Sequence, residues 1–113
     1  MKKQVNILGT TWTIETKNRE EDENLKTSYD GYCDKTTRCI VVVNKDKDSN
    51  LGNFDVYQKK NIRHEIVHAF MFESGLAENY EHPNQFGQEE TMVDWIAIQG
   101  PKIYAAWKEV DAL

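Results

Sequence analysis

Two histidines and a glutamate, His64, Glu65 and His68, stand together as H-E-I-V-H inside the apolar run N-I-R-H-E-I-V-H-A-F-M-F-E-S-G. Ionisable side chains in such company are costly unless something pairs with them. On a helix, residues four apart lie on one face a turn apart, so His64 and His68 can each aim a ring nitrogen at a single point. Two imidazoles so placed suit Zn2+, which binds histidine nitrogen at about 2.0–2.1 Å. Glu65 is turned roughly 100° from His64, beside such an ion instead of on it, where it can deprotonate a metal-activated water. A divalent cation is the partner this spacing predicts.

A lone histidine on an apolar helix is ordinarily a hydrogen-bonded core residue. The chain holds three His in all, and a chance H-E-x-x-H from such a composition arises about once in a hundred chains. A catalytic zinc also needs a third protein ligand and an open position. The spacing H-E-x-x-H-x-x-G-x-x-H is absent, because position 71 is Met71 and position 74 is Ser74, which excludes the metzincin pattern.

The best remaining ligands lie in G-Q-E-E-T-M-V-D-W-I-A. Glu90 has Asp94 one helical turn behind it, placed to accept the free N–H of a ligating imidazole and so fix its tautomer. Glu89 faces about 100° away from Glu90 and lacks such a follower. The plainer alternative makes both ordinary acidic residues at a helix N-terminus. Glu73, Glu78 and Glu81 are too near His68 in sequence to fold back onto it and read as surface charges.

The elements that must position these groups follow from pattern. Val5 to Leu8 and Trp12 to Thr16, separated by Gly9-Thr10-Thr11, read as a β-hairpin. The charged stretch Lys17 to Asn24 reads as a solvated loop or short exposed helical turn. T-S-Y-D-G-Y-C and R-C-I-V-V-V-N read as two more strands joined by D-K-T-T. The first, interrupted by Asp30-Gly31, is a weak rim; the second, with four successive β-branched residues, is buried. Phe54 to Ser74 contains no Gly or Pro and reads as a helix closed by Gly75. Its inner side is Ile62, Ile66, Ala69, Phe70 and Glu73 with Val67 and Met71 flanking, and the only break in a nearly all-round apolar surface is the strip of His64, Glu65 and His68. A second helix is expected over 88–99, ended or kinked by Gly100-Pro101, with a short third from Lys102 to Val110. The fold class is α+β: a small, mostly antiparallel sheet of about four strands, then the active-site helix and one or two C-terminal helices, in one domain spanning 1–113.

Composition narrows the function. The 113 residues suffice for one modest core, with 39% hydrophobic and 29% charged residues, three Trp, five Tyr and four Phe. A net charge of -5 argues against a nucleic-acid partner, which calls for a basic face. No apolar run reaches signal-peptide or membrane-spanning length, so a cytoplasmic protein without a membrane partner is expected. Cys33 and Cys39 are the only cysteines and are expected to be reduced, a bridge across a hairpin being the lesser alternative.

H-E-I-V-H followed by E-x-x-x-D on the next helix resembles the gluzincin branch of zinc metallopeptidases. In size and element order the chain is similar to minimal gluzincins and to short metallopeptidase-like proteins of phages and prophages. The specific motifs occupy the thirty or so residues from His64 to Ala97. The resemblance implies a zincin-like fold, His64, His68 and Glu90 as zinc ligands, Glu65 as general base and Asp94 behind the ligands. It also implies a peptide or protein substrate paired along the edge strand near Ser28 to Cys33. Tyr80 or His82 is implied as the group that stabilises the oxyanion.

The function expected is therefore zinc-assisted hydrolysis of peptide bonds. Two other readings stand beside it: a non-catalytic zinc-binding accessory module in which the metal supports the fold, and a latent peptidase whose own chain blocks its cleft. Glu65 argues against the first, since a structural site needs no base.

Overall fold

The computed structural model describes residues 1–27, 29–78 and 90–113, and of Glu78, Glu90, Thr91, Val93, Asp94 and Ala97 the backbone only. Its elements are β1 (Lys2–Ile7), β2 (Thr10–Lys17), a 3₁₀ turn (Arg19–Glu21), α1 (Glu23–Lys26), β3 (Gly31–Asp34), β4 (Cys39–Val43), α2 (Phe54–Glu73), a second 3₁₀ turn (Leu76–Glu78) and α3 (Glu90–Glu109). The α+β plan holds, with a mixed four-stranded sheet of order β1-β2-β4-β3.

The first hairpin turns one residue earlier than its sequence suggests. Ile7 pairs with Thr10, leaving Leu8 and Gly9 as a two-residue loop with φ of 51° and 90°. Positive φ at both positions matches the twist of the flanking strands, and Thr10 and Thr11 consequently belong to β2. The next two strands keep their expected roles, but the first is shorter and shifted, starting at Gly31 and running to Asp34 instead of starting at Thr27: β3 is the rim and pairs antiparallel with β4, which is inner and also runs parallel to β2.

Period-two alternation gives the sheet two working faces. On one, Val5, Ile7, Trp12, Ile14, Ile40 and Val42 meet Ile62, Ile66, Ala69 and Phe70 of α2 and Ile103 and Ala106 of α3, all buried. On the other, Val41 and Val43 pack with Leu25 of α1. Cys33 is partnered with Ile40 and Asp34 with Cys39, so the two cysteines sit one register step apart and face opposite sides. Cys33 packs against the first cluster and Cys39 against the second. Both are free thiols.

Gly75 at φ 82° closes α2, as its sequence predicts, and Asn53, not expected from the sequence, caps its start by accepting from the Val56 N–H. The helix is not buried nearly all round, however. Its apolar side packs on the sheet as expected, but His64 and His68 are exposed and only Glu65 of the triad is buried.

The helix does not end at Gly100-Pro101, and α3 is one helix with Pro101 inside it. Proline there forfeits a hydrogen bond at a cost of about 3 kcal/mol. Met92, Ile103, Ala106 and Val110 are buried on both sides of it along one continuous helical face, and that shared burial outweighs the local defect. Lys3 Nζ donates to the Val110 carbonyl at 3.0 Å and Arg63 Nη1 to that of Ala112 at 2.7 Å, fastening the end of α3 to β1 and α2. No helix among the described residues is long and apolar enough to cross a membrane.

Candidate metal centre

The two histidines converge at the solvent face of α2. Their Nε2 atoms are 3.2 Å apart, with the rings at 67° and their centroids separated by 4.8 Å. Two nitrogens bound tetrahedrally to one ion at about 2.0–2.1 Å lie about 3.3–3.4 Å apart, so the pair is spaced for a shared cation. The same separation suits an N–H···N bond between two neutral rings of opposite tautomer. Partial shielding from water, and then the neighbouring His64, lower the His68 pKa; both causes favour the neutral ring that a metal requires.

Glu65 occupies a different environment one residue away. It is 7% exposed and has no hydrogen-bond or ion-pair partner among the described residues. Burial pushes its carboxyl up from 4.5 to about 7, with Lys60 pulling weakly the other way. An unpaired carboxyl poised near neutrality can take up and return a proton. The sequence expectation that the whole H-E-I-V-H strip shares one apolar setting therefore resolves into two exposed rings and one buried acid.

The lid over Glu65 is β3. A Cβ on Gly31 would stand 3.3 Å from Glu65 Oε2. The Cys33 thiol is raised to about 12, first by burial and then by the nearby Glu65, and stays protonated, which removes it as a nucleophile. Asn61, one turn before Glu65, is also buried, and its Nδ2 has no hydrogen-bond partner among the described residues.

Two recesses flank the histidines. The Val43 N–H donates to the Asp30 carbonyl, so by antiparallel alternation the backbone groups of Gly31 and Cys33 point out to the free edge of β3. Beside that edge lies a recess of about 440 Å³ that includes Tyr29, Tyr32, Cys33 and Phe72; the Phe72 ring stacks on His68 at 6.5 Å. On the other flank a second recess, of about 470 Å³, is lined by apolar side chains of α2 and α3, among them Val67, Met71, Trp95, Ile96 and Tyr104.

Among the described residues, no group of three His, Cys, Asp or Glu side chains is close enough together to hold a metal. Glu90 is the first residue of α3 and Asp94 lies one turn on, but their side chains are outside the described set. Glu89, Tyr80, His82 and Ser28 lie outside the described residues altogether. Glu73 is not the surface charge expected: its Oε1 accepts from Trp12 Nε1 at 2.8 Å and Arg38 Nε at 3.0 Å.

Sequence reasoning missed three parts of this site. Asn61 carried a legible signal, a polar residue one turn before Glu65. Gly31 reads as an interruption of the rim strand and is in fact a close approach. The cluster around Arg19 has no local signal, because its partners lie up to 27 residues away. Comparison with known proteins returns no matching family model, curated protein or solved structure.

Proposed function

We propose that this chain is a small zinc-dependent peptidase of zincin-like fold. The observation that carries the reading is the pairing of two exposed histidine nitrogens 3.2 Å apart with an adjacent buried, unpaired carboxyl whose pKa lies near 7. His64 and His68 would hold the ion, with Glu90 as the third ligand and Asp94 behind the histidines. When bound, zinc supplies a Lewis acid that polarises the substrate carbonyl and acidifies water.

The chain's own residues do the rest. An extended peptide lies along the free edge of β3, where the backbone groups of Gly31 and Cys33 offer strand pairing. Glu65, shielded beneath that strand, takes the proton from the attacking water and returns it to the leaving amine. The apolar recess between α2 and α3 receives a side chain next to the scissile bond. A purely structural site gives no reason for an unpaired buried acid beside the ligands, since burying one is destabilising.

The test is metal analysis of protein purified without chelator, combined with turnover of quenched fluorescent peptides. Bound zinc near one equivalent and chelator-sensitive cleavage support the reading. A Glu65→Gln variant that cleaves as fast as the parent overturns it.

A further inference from the structure

The stretch before β3, charged and without apolar period, holds the most heavily bonded side chain described in the molecule. Arg19 Nε and Nη2 grip the Asp46 carboxylate at 3.0 and 2.9 Å. Nη2 also reaches Asp30 Oδ1 at 2.8 Å. Nη1 donates to the carbonyls of Leu25 and Tyr29 at 2.7 and 2.9 Å. All five N–H donors of a guanidinium are thereby used, in the fixed planar fork that a lysine cannot reproduce.

These partners are not scattered. Leu25 belongs to α1, Tyr29 and Asp30 stand immediately before β3, and Asp46 lies between β4 and α2. Asp30 also accepts a hydrogen bond from the Tyr57 hydroxyl in the first turn of α2. Arg19 therefore joins the entrance of the edge strand to the helix that carries His64, Glu65 and His68. The far end of the same hairpin is fastened separately: Arg38 bonds Glu73 at 3.0 Å, and Lys35 stands 5.4 Å over the Phe72 ring. Between the two fastenings, Gly31 lies against Glu65.

A four-residue edge strand paired on one side only is, by itself, among the less protected parts of a fold. Holding both of its ends to α2 fixes the gap between the strand and the helix. We propose that Arg19, acting through Asp30 and Tyr57, is a positioning residue that holds β3 at the spacing needed to receive a peptide over the histidine pair. The role rests on the peptidase reading for its substrate. The mechanical link between Arg19 and β3 does not.

The experiment compares the parent, Arg19→Lys and Tyr57→Phe by amide hydrogen exchange and by peptide kinetics. Arg19→Lys is expected to speed exchange of the Tyr32 and Val43 amides tenfold or more, and that of Ile14 and Ile66 less than twofold. Metal content stays unchanged, and KM for peptide rises at least fivefold while kcat moves less than twofold. Tyr57→Phe, which removes the Asp30 link to α2 and leaves the Arg19 cluster in place, gives the same pattern at smaller size and carries the test where Arg19→Lys fails to fold. Equal acceleration at all four amides, or none, overturns the proposal, as does a fall in kcat at unchanged KM. A parent that cleaves no peptide overturns the peptidase reading, and with it the substrate-receiving role, while exchange alone still decides the link to β3.

Discussion

Gly31 and Glu65 meet closely enough that an added side chain would press on its neighbours: a Cβ at Gly31 would stand 3.3 Å from Glu65 Oε2 and 3.2 Å from the Val41 carbonyl oxygen. Gly31 is not among the positive-φ residues, so the position demands space and not an unusual dihedral. Strand and acid form one unit, and a change in either is felt by the other.

Replacing Gly31 by Ala tests that unit. The Val41 oxygen is backbone within the sheet and cannot move away, so β3 must lift or Glu65 must swing. The expected cost is roughly 1–2 kcal/mol of stability, in the range for overpacking, together with a tenfold or greater loss of peptide turnover at unchanged zinc content. Denaturant melts and metal analysis read the two effects separately. Parental stability would mean that the contact is looser than described.

On the proposed reading Glu65→Gln should still bind zinc, because Glu65 stands beside the histidines and not between them. Loss of a positioned general base typically costs 10²- to 10⁴-fold in rate, and kcat should fall within or beyond that range. Substitution of His64 or His68 by Ala should instead remove the metal together with activity. Parallel metal titrations distinguish the base from the ligands.

The metal-free protein should lose stability as the solution becomes less acidic. Glu65 carries a folded pKa near 7 against an ordinary value of 4.5. Between those values the unfolded chain has released a proton that the native carboxyl keeps, so unfolding is favoured progressively as pH rises. Each pKa unit corresponds to 1.36 kcal/mol; discounted because the carboxyl is not wholly shut off from water, the difference across the window should be roughly 1–2 kcal/mol. The lowered His68 pKa works in the opposite sense near its own range. Comparing parent with Glu65→Gln cancels that contribution, and the variant should be the more stable above pH 7. Identical stability profiles would show that Glu65 titrates normally.

Much of this arrangement is readable from local pattern, and the failures have physical causes. The helix carrying His64 and His68, its Gly75 terminus, and the contrast between the inner strand Cys39–Val43 and the rim Gly31–Asp34 all depend on short-range periodicity and turn chemistry. The continuity of α3 does not, because a proline signal is local whereas the burial of Ile103, Ala106 and Val110 that overrides it is tertiary. Exposure of His64 and His68 depends on α3 leaving that side of α2 open, which no period within α2 encodes. Arg19 is the extreme case. Its partners Leu25, Tyr29, Asp30 and Asp46 are assembled by the crossover from β2 to β4, and a charged run gives no hint of it.

The recess between α2 and α3 predicts a side-chain preference. Val67 precedes His68 directly and Met71 lies three residues beyond it, so the wall they form with Trp95, Ile96 and Tyr104 begins where the histidine pair ends. A peptide bound as proposed, paired with β3 and crossing His64 and His68, would place a neighbouring side chain over this wall. Burying an apolar side chain stabilises by about 0.8 kcal/mol per methylene, whereas a carboxylate there would lose its hydration without gaining a partner. Peptides with Leu or Phe next to the scissile bond should therefore be cleaved at least tenfold more efficiently, by kcat/KM, than matched peptides with Ala or Asp. A Met71→Lys variant should narrow the gap between Leu and Asp while retaining zinc, because Met71 is exposed to the recess and is not a ligand. Equal cleavage of all four peptides by the parent would place the substrate side chain elsewhere, and the recess would then have no part in specificity.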